Sequence, residues 1–178
     1  MNEYPQDLVR RHRLVDGTEV VIRPVRAADV PLEGEFERHL SGDSRYYRFM
    51  RALGEASPEK LKFVREVDYD RRMGLVATIA PEGSEIEIGA AMYSAPAQGG
   101  SCEFAIAVDD AWQGRGVAGL LMARLFDAAR MHGFDTMVGV VLADNHRMLK
   151  FVRQLGFVCE HSGEDPHTFT VVKRLAAG

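Results

Sequence analysis

A strand, a glycine-rich turn, a long helix and a second strand follow one another in the second half of the chain, and this succession most limits the possible fold. Residues 102–108 alternate bulky side chains with small or charged ones, which is typical of a strand with two different faces. Residues 116–132 carry apolar side chains at helical spacing, and residues 136–143 are again typical of a strand. Such a strand-helix-strand unit is a crossover, so we predict that the sheet is parallel at this point.

The remaining periodicity predicts a mixed α/β fold in a single domain over residues 1–178. Turn signals and β-branched runs predict strands at residues 19–25, 74–80, 85–94, 157–160 and 168–175, with a turn at 81–84. Helical spacing predicts helices at residues 27–40, 58–67 and 145–155, the second of them capped by Ser57. The predicted order is therefore β-α-α-β-β-β-α-β-α-β-β, a mixed sheet with helices packed on it.

Composition excludes several classes of protein. No stretch approaches the roughly 18 apolar residues that cross a bilayer, and the start of the chain is polar, so we expect a cytoplasmic protein with no membrane contact. The net charge of −4 argues against nucleic acid as a partner, and the basic run at 10–13 is interpreted as a solvated approach to the first strand. The 2 cysteines and 6 histidines show no metal-ligand spacing, so we expect no metal.

The glycine-rich turn at residues 113–119 has two functional interpretations. Successive glycines let backbone N–H groups approach a ligand closely, and the helix that follows adds partial positive charge, so an anionic phosphate fits there. The spacing of Gly114, Gly116 and Gly119 matches a dinucleotide fingerprint, although the approach to the first glycine is long and too few residues follow for a doubly wound sheet. A turn that only connects strand to helix is the remaining alternative.

The same turn, written Gln113-x-x-Gly116-x-Ala118, resembles the pyrophosphate loop of the GNAT superfamily of acyl-CoA-dependent N-acyltransferases. The stretches SRYYRFM, EFAIAVDDAWQGRGVAGLLM and VGVVLADNHRML are similar to those of bacterial protein-lysine acetyltransferases that modify acyl-CoA synthetases. The resemblance implies a GNAT fold and acetyl-CoA as cosubstrate. The loop positions implied to bind it are Gln113, Gly114, Arg115, Gly116, Val117, Ala118 and Gly119.

The strand before the loop carries the residue that the resemblance implies as the catalytic base. Glu103 shares a strand face with Ala105 and Ala107, and small side chains leave room for a flexible arm. In the family this strand flanks the pantetheine arm, which adds Ala107 and Val108 to the implied cofactor site. In protein-lysine acetyltransferases the corresponding glutamate is the general base. A solvated strand carboxylate is the alternative interpretation of Glu103.

Other polar residues near the implied site have plainer interpretations. Asn145 is both a helix cap and, by the resemblance, a cofactor contact. Many family members have a tyrosine seven residues after that asparagine to protonate the thiolate, but Val152 stands there. Tyr46, Tyr47 or Tyr93 could replace it in space, although a thiol with a pKa near that of cysteine, about 8.5, is able to leave without a dedicated acid. Two further assignments concern the strand region: Asp109 and Asp110 as turn or capping residues, and Cys102 as a buried, un-ionised thiol.

The sequence therefore predicts direct transfer of an acetyl group from acetyl-CoA to an amine, by resemblance a lysine on a protein such as an acyl-CoA synthetase. One alternative is a small-amine acetyltransferase whose acidic mouth is formed by Asp68, Asp70, Glu85 and Glu87. Another is an acyl-CoA-binding module without activity. Since the predicted elements use nearly all 178 residues, no second, regulatory domain is expected in this chain.

Overall fold

The chain folds around one mixed sheet. The structure is a computed structural model that describes residues 3–44, 58–163 and 165–175, with the backbone only at 58–61. Within these residues the strands are β1 (Arg10–Arg13), β2 (Glu19–Pro24), β3 (Arg72–Ile79), β4 (Ile86–Ser94), β5 (Ser101–Val108), β6 (Thr136–Leu142), β7 (Val158–His161) and β8 (Thr168–Arg174). Their order is β1-β2-β3-β4-β5-β6-β8-β7. Among the described strands only β5 and β6 pair in parallel, which confirms the predicted α/β fold and its crossover.

Helices cover both faces of this sheet. They are α1 (Val30–His39), α2 (Pro58–Arg65), α3 (Val117–Met131) and α4 (His146–Gln154). The apolar stripe of α3 packs on β3, β4 and β5, and its Val117, Leu121 and Leu125 are buried in the larger core. A smaller core lies on the opposite face, where Phe36 of α1 packs with Val64 of α2 and Ala90 of β4. None of the described helices is long and apolar enough to cross a membrane.

The first strand differs from the prediction. The basic run at 10–13 is itself a strand, β1, and pairs with β2 in antiparallel register around a turn that contains Gly17. Its arginines are exposed because β1 is an edge strand, where charged side chains are soluble and discourage pairing with another chain. β1 has no buried residue, so it shows no apolar alternation from which a strand could be predicted.

Most other boundaries agree with the prediction. The β3–β4 hairpin turns at Pro81–Gly83, as predicted. The first predicted helix is divided, because a short 3-10 turn at Ala27–Asp29 precedes α1, whose Pro31 occupies the first turn. The predicted cap Ser57 lies outside the described residues.

Strands β5 and β6 separate part-way along their length. They pair only where residues 101–103 face residues 136–138. Beyond this point the ring of Phe104 lies against Gly139, where a Cβ atom would come within 2.5 Å of the ring, and it packs on Phe157 at a centroid distance of 5.1 Å. The ring of Phe104 therefore covers Gly139 at the point where the two strands separate, and a cleft opens beside the second half of β5.

Candidate active site

A cleft of about 800 Å³ lies between the second half of β5, the glycine-rich loop and α4. Strand β4 occupies one edge of β5 as far as Val108, but no described strand pairs with its other edge beyond Glu103. The cleft side of β5 therefore offers backbone hydrogen-bonding groups to a ligand. The lining residues are Ser41, Asp43, Ser44, Ile106, Ala107, Val108, Asp110, Trp112, Gln113, Gly114, Gly116, Ala118, Gly119, Asn145, Arg147, Met148, Lys150, Phe151 and Gln154.

The glycine-rich loop forms one end of the cleft. Gly114 has φ 74° and Gly116 has φ 91°, both in the left-handed region that favours glycine. Gly116 is the N-cap of α3 and supplies no side-chain cap, and no acceptor among the described residues takes a hydrogen bond from the N–H groups of residues 114–119. A Cβ atom at Gly116 or Gly119 would meet nothing within 4 Å. Open space in front of unpaired N–H groups at a helix start fits an anionic group such as a pyrophosphate.

The side chain of Gln113 connects the two walls of the cleft. Its Nε2 donates to the carbonyl of Val108 at 3.0 Å, and its Oε1 accepts a hydrogen bond from the guanidinium of Arg147 on α4. The amide thus holds the end of β5 and the start of α4 at the loop. This connection depends on the tertiary fold and is not visible in the spacing of the motif.

The two aspartates between β5 and the loop are turn residues, as predicted. Asp109 accepts a hydrogen bond from the N–H of Ala111 at 2.9 Å. Asp110 accepts from the N–H of Ser41 at 3.0 Å and from the hydroxyl of Ser44 at 2.8 Å. Partial burial would raise the pKa of Asp110, but these hydrogen bonds outweigh it and leave the pKa below its ordinary value. Asp110 therefore holds residues 41–44 in place at the edge of the cleft.

Helix α4 supplies a second wall of the cleft, of which only Asn145 was predicted from the sequence. Asn145 accepts a hydrogen bond from the N–H of Met148 at 3.1 Å and so caps the helix, while it also lines the cleft. Arg147, Lys150 and Gln154 line the same cleft. Their spacing of three and four residues places them on one helix face, and that spacing was the available signal. Two cations therefore stand opposite the loop.

Most residues predicted to bind the cofactor meet at this cleft, but two do not line it. Ala107, Val108, Gln113, Gly114, Gly116, Ala118, Gly119 and Asn145 do. The side chain of Val117 is buried in the core. The guanidinium of Arg115 lies 4.5 Å from the ring centroid of Trp112 and 3.4 Å from a carboxylate oxygen of Asp16, so its charge is already partnered.

Glu103 lies in a second, open cavity of about 600 Å³, not in the cleft. Its side chain is exposed, whereas Cys102 is buried, as the strand alternation predicts. Glu66 and Arg72 line this cavity too and form an ion pair at 2.8 Å. Glu103 and Ala107 share one face of β5 and are four residues, or about 13 Å, apart along the strand. One strand therefore borders both cavities.

Among the residues considered as an acid that protonates the thiolate or as a nucleophile, those that the structure describes are buried. Tyr93 is fully buried; its hydroxyl donates to the carbonyl of Asp70 at 2.9 Å, and burial raises its pKa far above the ordinary value. The expectation that Tyr93 could replace the family tyrosine is therefore wrong. Tyr46 and Tyr47 lie outside the described residues, and Val152 is buried in the core. Burial raises the pKa of Cys102 to about 12, which confirms an un-ionised thiol.

The acidic mouth expected for a small-amine substrate does not form. Asp68 accepts hydrogen bonds from two backbone N–H groups in the turn before β3. Glu85 pairs with Arg23 at 2.9 Å, and Glu87 is buried. Because β3 and β4 are antiparallel, the aspartates and the glutamates lie at opposite ends of the hairpin, roughly 20 Å apart.

Comparison with known proteins identifies the family. The family model described as the acetyltransferase (GNAT) domain matches residues 19–158. The chain belongs to the GNAT acetyltransferase family. It is 37% identical to the acetyltransferase PA5475 of Pseudomonas aeruginosa over 163 residues, which are 92% of this chain and 87% of that protein. It is 30% identical to the acetyltransferase Pat of Mycolicibacterium smegmatis over 142 residues, 77% of this chain but only 40% of Pat.

Solved structures agree with this assignment. The GNAT domain of S. lividans PAT superposes with a TM-score of 0.89 at 29% identity, covering 97% of this chain and all of that one. An acetyltransferase of Salmonella typhimurium, solved with its cofactor acetyl-CoA, has a TM-score of 0.69 at 19% identity over 89% of this chain and 95% of that one, and shows the shared fold. This GNAT protein is thus an acetyltransferase.

Proposed function

We propose that this GNAT enzyme transfers the acetyl group of acetyl-CoA directly to the side-chain amine of a lysine on a protein, with Glu103 as general base. The similarity to the GNAT domain of PAT, a protein acetyltransferase, supports a protein acceptor. The observation that carries the proposal is that β5 borders both the cleft and the open cavity that contains Glu103.

The cleft suits the cosubstrate, which supplies an activated acetyl thioester. The unpaired N–H groups of residues 114–119 would hold its pyrophosphate, and Ala107 and Val108 on the free edge of β5 would align its amide-containing arm. Asn145 caps α4 at the same cleft and is a further contact. Arg115 and Val117 contribute through the loop backbone rather than through side chains, because their side chains are directed elsewhere.

The open cavity suits the acceptor amine. A lysine with an ordinary pKa of about 10.4 is neutral only about once in 2,500 molecules at pH 7, which costs on the order of 4–5 kcal/mol unless a base removes the proton. Glu103 is exposed in this cavity and takes that proton directly or through a water molecule. The departing thiolate has a pKa near that of cysteine, about 8.5, so it leaves without a dedicated acid, consistent with Val152 at the family's tyrosine position.

The substitution Glu103→Gln tests the base. We expect kcat for lysine acetylation to fall by about 10²-fold or more at pH 7, with unchanged affinity for CoA, because only the proton-transfer step is affected. Glu66→Gln is the matched control, since Glu66 lines the same cavity and carries the same charge. A wild-type rate for Glu103→Gln across pH 6–9, or an equal loss in both variants, would refute the assignment of the base.

The acceptor is tested separately. The enzyme is incubated with acetyl-CoA and either acyl-CoA synthetases or small polyamines such as spermidine, and acetyl-lysine is mapped by mass spectrometry. We expect enzyme-dependent acetylation at defined lysines of a protein acceptor. Turnover of small amines alone would contradict the protein-lysine proposal while leaving acetyl-CoA-dependent transfer intact.

A further inference from the structure

Arg147 is held at the glycine-rich loop without an acidic partner. Its guanidinium donates to Oε1 of Gln113, and its Nη2 lies 3.9 Å from the position that a Cβ atom of Gly114 would occupy. Among the described residues, no carboxylate lies within ion-pair distance of it. Several other arginines are paired with acids: Arg11, Arg23, Arg72, Arg115 and Arg124. The charge of Arg147 thus remains available to a ligand.

The orientation of Gln113 explains how this cation is positioned. The carbonyl of Val108 can only accept, so the amide must turn its Nε2 toward the strand, and its Oε1 then faces α4. A neutral oxygen fixes the guanidinium of Arg147 there without neutralising it. The guanidinium has five N–H donors, so donors remain after this bond.

We propose that Arg147 is a side-chain ligand of the cofactor's pyrophosphate, held in place by Gln113, which acts as a positioning residue. This inference rests on the placement of the cofactor in the proposed function. The backbone N–H groups of the loop would contact the phosphates from one side, and the guanidinium would contact them from the wall formed by α4. A planar guanidinium pairs well with phosphate oxygens, often through two parallel hydrogen bonds.

The proposal predicts which kinetic constant changes. The pyrophosphate does not react, so contacts to it stabilise the ground state and the transition state equally. Loss of Arg147 should therefore raise the KM for acetyl-CoA and leave kcat unchanged, and the effect should not depend on the length of the acyl chain. A residue that only supported the fold of the active site would lower kcat as well.

The experiment measures CoA binding by calorimetry in the wild type and in Arg147→Gln. Hydrogen bonds to charged groups predict a Kd about 10- to 100-fold higher in the variant. Arg153→Gln is the matched control: it removes an exposed arginine of the same helix that does not line the cleft, so its Kd should stay within about twofold of the wild type. Thermal melts of all variants verify the fold, and Arg147→Lys should recover part of the affinity.

A second ligand distinguishes the two phosphate sources. With 3′-dephospho-CoA, which keeps the pyrophosphate, the loss in Arg147→Gln should be as large as with CoA. A loss confined to CoA would assign Arg147 to the 3′-phosphate and overturn the proposal, as would an unchanged Kd. Failure of the wild type to bind CoA would overturn the cofactor placement in the proposed function and this inference with it.

A double-mutant cycle tests the role of Gln113. Gln113→Leu should weaken CoA binding in the wild-type background but have little further effect in Arg147→Gln, because its contribution acts through the guanidinium. Additive losses in affinity would show that Gln113 does not position Arg147.

Discussion

The two ends of β5 border sites that are built from different parts of the protein. Near Val108 the cleft combines backbone groups, namely an unpaired strand edge and a loop whose glycines leave open space, with the side chains of α4 on the facing wall. Near Glu103 the cavity is formed by side chains from α2, β3, β4 and β6. Backbone groups suit the cosubstrate, which is the same throughout the family. The side chains of the open cavity suit the acceptor, which differs from one enzyme to the next. We therefore expect substitutions at the two ends to have separable effects.

The largest expected effect at the cleft end is that of Gly116→Val. A β-branched residue at φ 91° is strained by about 1–3 kcal/mol, and its side chain would occupy the space in front of the loop N–H groups. Binding of CoA should fall below detection in calorimetry.

Gly133→Val is the matched control for this prediction. Gly133 has φ 78°, a Cβ atom added to it would meet nothing within 4 Å, and it follows the C-terminal end of α3, whereas the loop precedes the N-terminal end of that helix. The control should lose similar stability in a thermal melt but keep the wild-type Kd for CoA. If Gly116→Val retained wild-type affinity, the loop would not be the pyrophosphate site.

The same contrast explains how much could be predicted from the sequence. The loop and its flanking strand and helix were predictable because glycine spacing and apolar periodicity are local signals. The wall containing Arg147 was missed because only the tertiary fold brings α4 to the loop. The prediction of an acidic mouth was wrong because residues close in sequence, such as Asp70 and Glu85, are separated by the full length of an antiparallel hairpin.

An intermediate effect is expected at Gly139 of β6, which lies beside the middle of β5. A Cβ atom there would lie 2.5 Å from the ring of Phe104, so Gly139→Ala should destabilise the protein by about 1–3 kcal/mol through overpacking. Since Gly139 lies just beyond the last paired residues of β5 and β6, where the cleft begins, the KM for acetyl-CoA should change too. Thermal denaturation and steady-state kinetics measure the two effects.

Two further variants sharpen the prediction for Gly139. Gly34→Ala, in α1 with open space around the Cβ position, should be neutral or stabilising by about 0.5–1 kcal/mol. Phe104→Leu in the Gly139→Ala background should recover part of the lost stability, because the smaller side chain makes room. If Gly139→Ala were as stable as the wild type, the ring of Phe104 would not be packed tightly against Gly139.

The smallest expected effect concerns Asp110, which fastens residues 41–44 to the cleft. Its folded pKa lies below its ordinary value of 3.8, so its contribution to stability is fully present above the unfolded pKa and is lost as the pH falls through the folded value. Asp110→Asn should therefore lower the melting temperature near neutral pH, and the difference from the wild type should shrink on acidification below about pH 4. Ser44→Ala removes one of the donors to this carboxylate, so it should show the same pH dependence at smaller amplitude. A difference between wild type and Asp110→Asn that stayed constant from pH 7 to pH 3 would mean that the carboxylate charge does not hold this wall of the cleft.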